Sequence, residues 1–192
     1  MMQQRWAERC VLAAAMAFAA IAANAESAQA KRGKHLVDTL DCHGCHTPVK
    51  MGPNGPELDM TLALSGHPAS FVMPPPPRLD GPWNWAGAAT VTAFAGPWGV
   101  SYAINLTPDP ETGIGKWKEA DFVKAIKTGK HLGVGRPIMP PMPWPAYRNL
   151  PDNDLKAIFA YLKSLPPMRN KVPDYQPPAA PPAPPPGAPP KK

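Results

Sequence analysis

Leu40-Asp41-Cys42-His43-Gly44-Cys45-His46-Thr47-Pro48 is the stretch on which the fold turns. Residues three apart lie on one face of a helical turn, so Cys42 and Cys45 present their thiols side by side. A rigid haem ring carries two vinyl groups at a fixed separation, and one short helical segment reaches both to form two thioethers. The next side chain, His46, then projects towards a metal at the ring's centre. A neutral imidazole suits iron when its second nitrogen is held by a hydrogen-bond acceptor. Two other chemistries use Cys-x-x-Cys. Structural zinc wants four N or S ligands, usually from two separated pairs, and the chain has no second cysteine pair. A thioredoxin-like pair expects βαβ surroundings, whereas the pattern here is helical. With a histidine directly after the second cysteine, the motif reads as covalent attachment of one haem through Cys42 and Cys45, with His46 as an axial iron ligand.

The chain ahead of this motif supplies a compartment. Arg5 and Arg9 make a positive start, Cys10 to Ala23 is an apolar run, and Ala23-Asn24-Ala25 has the small-x-small form of a cleavage site. The run is shorter than the ~20 apolar residues a membrane span requires. Residues 1–25 are therefore expected to be a secretory signal peptide, with Ala28-Gln29-Ala30 as a second cleavage option. The expectation is a periplasmic protein with no transmembrane span in its mature chain. Removing residues 1–25 takes Arg5, Arg9 and Glu8 from 20 basic and 14 acidic residues, which leaves a net charge of +5. That mild excess can steer an acidic partner. It excludes no partner but nucleic acid, for which a dense basic stripe interleaved with aromatics is missing.

Three segments carry helical periodicity. The first, about Lys31 to Asp41, sets Gly33, Leu36, Val37 and Leu40 on one face. The second, about Glu119 to Thr128, buries Phe122, Val123 and Ile126 and stops at Gly129. The third, about Asp152 to Leu165, aligns Leu155, Ile158, Phe159, Leu162 and Leu165 and stops at Pro166-Pro167. Between the first two, residues 48–118 are rich in Gly and Pro, a length of irregular chain that a compact domain tolerates only when something organises it. Haem would do so. A hairpin is expected there, with 90–95 and 100–104 flanking Gly96-Pro97-Trp98-Gly99. The fold class is all-α with long haem-wrapping loops, over residues 26–173. Residues 174–192, mostly Pro and Ala, read as a disordered or polyproline-II-like tail.

The second axial ligand is sought among soft donors, because thioether and imidazole together raise a haem potential. Met51, Met60, Met73 and Met168 read as gap-fillers or exposed residues. Ile138-Met139-Pro140-Pro141-Met142-Pro143-Trp144 differs, since prolines stiffen the loop around a sulfur. Met142 ranks first and Met139 second, with His67 and His131 as competing ligands.

At this point the chain resembles the class I cytochrome c family, through Cys42-His43-Gly44-Cys45-His46, the Met-Pro loop and a closing helix containing Ala160-Tyr161-Leu162. Asn105-Leu106-Thr107-Pro108-Asp109, Thr112-Gly113-Ile114-Gly115 with Trp117, and Met142-Pro143-Trp144-Pro145-Ala146-Tyr147 are similar to the cytochrome c subunits of bacterial membrane-associated alcohol and sugar-acid dehydrogenases and their single-haem relatives. The resemblance implies that the first and last helices cross, with Gly33 close to Tyr161. It implies that the Pro48 carbonyl accepts a hydrogen bond from His46 Nδ1. It also implies that Met142 is the distal ligand and that Asn105 and Trp117 lie near the haem propionates. The function expected is one-electron transfer to a larger redox protein (dehydrogenase, oxidase or reductase), with no catalytic residues. The alternatives are a haem sensor or peroxidase-like protein with an open distal site, a thiol oxidoreductase, and a subunit of a membrane dehydrogenase or oxidase complex.

Overall fold

The computed structural model describes residues 28–79 and 81–178. The expected signal peptide and most of the expected tail lie outside the described residues.

Three helices carry the core. Residues 28–39 form α1, whose Gly33, Leu36 and Val37 are buried. After the haem-motif turn α2 (His43–His46), α3 spans Glu119–Thr128, the short α4 spans Trp144–Tyr147, and α5 spans Asp152–Ser164. Leu36 and Val37 of α1, Phe122 and Ile126 of α3, and Leu155, Ile158 and Leu162 of α5 pack into one cluster, joined by Leu64 and Ile114 from the loops. The expected crossing of α1 and α5 is present at Gly33. A Cβ there would run into the Ala157 carbonyl oxygen and lie 2.9 Å from Tyr161 Cβ, so the helices approach closely only with glycine. Arg32 and Asp154 pair at 3.1 Å beside the crossing.

Neither α3 nor α5 begins with Ser or Thr. At α3 the Asp121 carboxylate accepts the Lys118 backbone N–H at 3.0 Å and does part of a cap's work. At α5, Pro151 precedes the first turn, and Asp152 and Asp154 stand at the positive end of the dipole. Gly129 ends α3 at φ 66°, ψ 29°, the left-handed conformation that glycine adopts without a Cβ penalty.

The all-helical expectation is met only in part, because two small antiparallel sheets fold residues 48–102. Strands β1 (Val49–Gly52) and β2 (Gly55–Leu58) form a hairpin around Pro53-Asn54. Strands β3 (Ala86–Gly87), β4 (Ala93–Gly96) and β5 (Gly99–Tyr102) form a second sheet in sequence order. The expected hairpin is its β4–β5 pair, in which Gly96 faces Gly99. The sequence hid β1, β2 and β3 because each is only two to four residues long and lacks an alternating apolar run. A further difference lies after α5. Val100 and Gln176 exchange two backbone hydrogen bonds, at 2.8 and 2.9 Å, so the start of the expected tail extends the sheet on the β5 side.

Candidate functional site

The haem motif forms a tight turn directly after α1. Asp41, at φ 54°, reverses the chain, and α2 follows with His46 N–H donating to the Cys42 carbonyl at 3.0 Å. A Cβ at Gly44 would meet only the carboxylate of exposed Asp41, a side chain free to turn away. Cys42 and Cys45 are both free thiols, and both border one cavity. Burial pushes the Cys42 thiol up to about 12 and raises that of Cys45 too. This is the reverse of the depressed value that activates a nucleophilic Cys-x-x-Cys.

His46 is 8% exposed and borders the same cavity. Its Nδ1 donates to the Ile104 carbonyl at 2.8 Å. The expected acceptor, Pro48, is otherwise engaged: its carbonyl takes the Asp59 N–H at 2.7 Å. The correction is one of partner, not of principle. A carbonyl only accepts, so the proton sits on Nδ1 and Nε2 keeps its lone pair. Burial pushes the imidazole pKa down and favours that neutral form. Among the described residues Nε2 makes no hydrogen bond.

The loop between α3 and α4 supplies another wall, and both Met139 and Met142 border the cavity. Met142 also packs against the helical core. The loop is held on both sides of Met139. The Ile138 N–H donates to the Gly129 carbonyl at 2.8 Å, and the Ser101 hydroxyl donates to the Pro140 carbonyl at 2.6 Å. The Tyr147 hydroxyl reaches the Leu40 carbonyl at 2.5 Å, which ties this wall to the chain just ahead of Cys42.

Of the two competing histidines, His67 does not border the cavity, and both its ring nitrogens are engaged, with the Thr92 hydroxyl and the Phe71 carbonyl, each at 2.9 Å. His131 does border it, set edge-on to Trp117 with ring centroids 5.0 Å apart. Trp117 lines the cavity as well. Asn105 does not. It is 1% exposed, and its amide bonds are spent on Thr107, Thr112 and the Met168 carbonyl, so it knits loops together.

The cavity measures about 320 Å³, within the range of about 300–1,000 Å³ typical of ligand sites. Its walls are mainly apolar, with Leu40, Phe94, Ile126, Ile158 and Leu162 among them. Two thiols, an imidazole lone pair and two thioethers in one apolar chamber fit a covalently held haem. Sequence reasoning had missed Tyr147, Arg136 and Tyr175 as cavity residues. Tyr147, in the Met-Pro-Trp-Pro-Ala-Tyr run, and Tyr175, an aromatic in a Pro-rich run, carried a signal, whereas Arg136 carried none.

A cytochrome c family model matches residues 30–166. A nicotinate dehydrogenase subunit of Pseudomonas putida is 34% identical over 145 residues, 76% of this chain and 9% of that protein. The cytochrome c subunit of the quinone alcohol dehydrogenase of Gluconobacter oxydans is 32% identical over 146 residues, 74% of this chain and 23% of the relative. The gluconate 2-dehydrogenase cytochrome c subunit of Pantoea cypripedii is 32% identical over 130 residues, 68% and 22%. The chain thus spans less than a quarter of the length of these relatives. The family match takes in the Cys-x-x-Cys-His turn, both cavity walls and the closing helix, and the chain belongs to the cytochrome c family.

Proposed function

We propose that the protein is a periplasmic, single-haem c-type cytochrome that passes one electron at a time to a larger redox protein and is not itself an enzyme. The observation that carries this reading is the grouping of Cys42, Cys45, His46 and Met142 on the walls of one apolar cavity. When bound, haem supplies the one-electron iron couple. Cys42 and Cys45 would hold it through two thioethers, and His46 Nε2 and the Met142 sulfur would ligate its iron. The Ile104 carbonyl orients the imidazole and makes it a better donor. The apolar walls would keep water from the group, and Met/His ligation would raise its potential. With both ligands in place, the bound group would exchange electrons through its edge and leave no open position for substrate. The partner fits a dehydrogenase, since the relatives include cytochrome c subunits of dehydrogenases.

Two measurements test this. The mass of the mature chain should exceed its sequence mass by one haem; an unmodified chain would sink the proposal and leave a thiol oxidoreductase. Ferrous protein at neutral pH should not bind carbon monoxide readily. Ready binding would reveal an open distal site and favour a sensor or peroxidase-like protein.

A further inference from the structure

The segment after α5 is fastened along its length. Met168 donates its N–H to the Thr107 hydroxyl at 3.0 Å and accepts the Asn105 amide at 2.7 Å. The Asn170 amide donates to the Ser65 and His67 carbonyls, at 2.7 and 2.9 Å, and its oxygen accepts the Ala69 N–H at 2.9 Å. Six residues on, Gln176 pairs with Val100. Tyr175, between these anchors, joins the wall of the haem cavity and donates its hydroxyl to the Trp98 carbonyl. The Arg136 guanidinium carbon stands 5.9 Å from the centre of the Tyr175 ring, a cation–π contact.

A polar cavity of about 300 Å³ adjoins the apolar one, and Arg136 and Tyr175 border both. Among the described residues Arg136 is the only Lys or Arg to do so. Lys171, Asp174 and Glu111 border the polar cavity alone, and Glu111 is paired with Arg169 at 3.0 Å. Haem has the matching asymmetry, with an apolar macrocycle and two carboxylates on one edge.

We propose that residues 168–176 are a strap closing the polar edge of the cavity, in which Tyr175 is a positioning residue that holds Arg136 over the carboxylate edge of the cofactor. This rests on the haem reading of the site. A cation fixed there opposes the added positive charge of ferric iron and so favours the ferrous state.

The test uses the full-length holoprotein, poised at one ambient potential, with the ferric-to-ferrous ratio read from its visible spectrum. Arg136→Gln, at an exposed side chain, should raise that ratio roughly three-fold at low ionic strength, the size expected for one charge near the surface. Tyr175→Ala should raise it similarly, whereas Tyr175→Phe keeps the ring and should match the wild type. Trypsin offers a second readout, because Arg169-Asn170 and Lys171-Val172 are cleavable bonds inside the strap. Both should resist in the wild type and open faster in Tyr175→Ala. An unchanged ratio in Arg136→Gln overturns the role of the cation. A changed ratio there with none in Tyr175→Ala overturns the positioning. Wild-type cleavage as fast as in a free peptide overturns the strap. A wild-type chain without the haem mass fails separately, against the function beneath this proposal.

Discussion

At the scale of single residues, the site depends on which atoms are left free. His46 is useful because the Ile104 carbonyl takes the Nδ1 proton and leaves Nε2 bare at the cavity. The motif itself announced Cys42, Cys45 and His46, since their chemistry is local to five residues. The acceptor was not legible, because Ile104 lies 58 residues away and is chosen by how the β5 region packs. The distal side has a similar limit. Met139 and Met142 share one proline-stiffened loop and both border the cavity, so spacing alone does not choose between them. Packing of Met142 against the helical core favours it. Met142→Ala is therefore expected to abolish the sulfur-to-iron charge-transfer band at the red end of the visible spectrum, and Met139→Ala to keep it. The opposite pair of spectra would transfer the ligand to Met139.

At the scale of elements, the three long helices were readable because each buries an apolar stripe against a partner. Observed α3 coincides with the expected Glu119–Thr128, and α5 ends one residue short of the expected Leu165. The short strands were less readable, being held by backbone ladders and turn glycines more than by side chains. The α1–α5 contact makes a sharp prediction. Gly33→Ala offers a gain in helix propensity of up to about 1 kcal/mol. It also drives a methyl group into the Ala157 carbonyl, and backbone cannot step aside cheaply. Overpacking of this kind costs about 1–3 kcal/mol. A lower urea midpoint than the wild type is expected, and an equal or higher one would show that the helices can slide apart. The loop after Asn105 makes a second prediction. The Asp109 carboxylate accepts from the Glu111 and Thr112 N–H groups and from the Thr112 hydroxyl, at 3.1, 2.7 and 2.7 Å. These bonds, the Thr112 hydroxyl first, hold its pKa below the ordinary 3.8. A depressed acid stabilises the fold above its unfolded value and loses that contribution as pH falls through the folded one. The urea midpoint should thus drop on acidification below about pH 4, and less steeply in Asp109→Asn, which keeps the acceptor oxygen without a titrating charge. Equal slopes would mean that the turn adds no acid sensitivity.

At the scale of the whole molecule, the cofactor and the core are one problem. The irregular span from 48 to 118 signalled that something beyond side chains organises it, and Phe94, Tyr102, Ile104, Leu106, Ile114 and Trp117 of that span line the cavity. The pairing of Gln176 with Val100 shows a related limit: composition reports what a segment lacks for building a core of its own, and is silent about a sheet edge supplied elsewhere. Leu40, Ile126, Leu155, Ile158 and Leu162 border the cavity while also belonging to, or packing on, the helical core, so the core is incomplete without an occupant. The cavity is partly open, so without an occupant its apolar lining is left facing water, which is unfavourable. The Cys42→Ser/Cys45→Ser chain, prepared free of haem, is therefore expected to keep part of its far-ultraviolet helical signal while losing its near-ultraviolet signal and its cooperative melt. Partial helix survives because α3 and α5 carry their own start and stop signals, whereas fixed tertiary packing needs the missing face. A sharp thermal transition with a native near-ultraviolet spectrum in that chain would show that the helices alone suffice and that the cavity is an adjunct to the core.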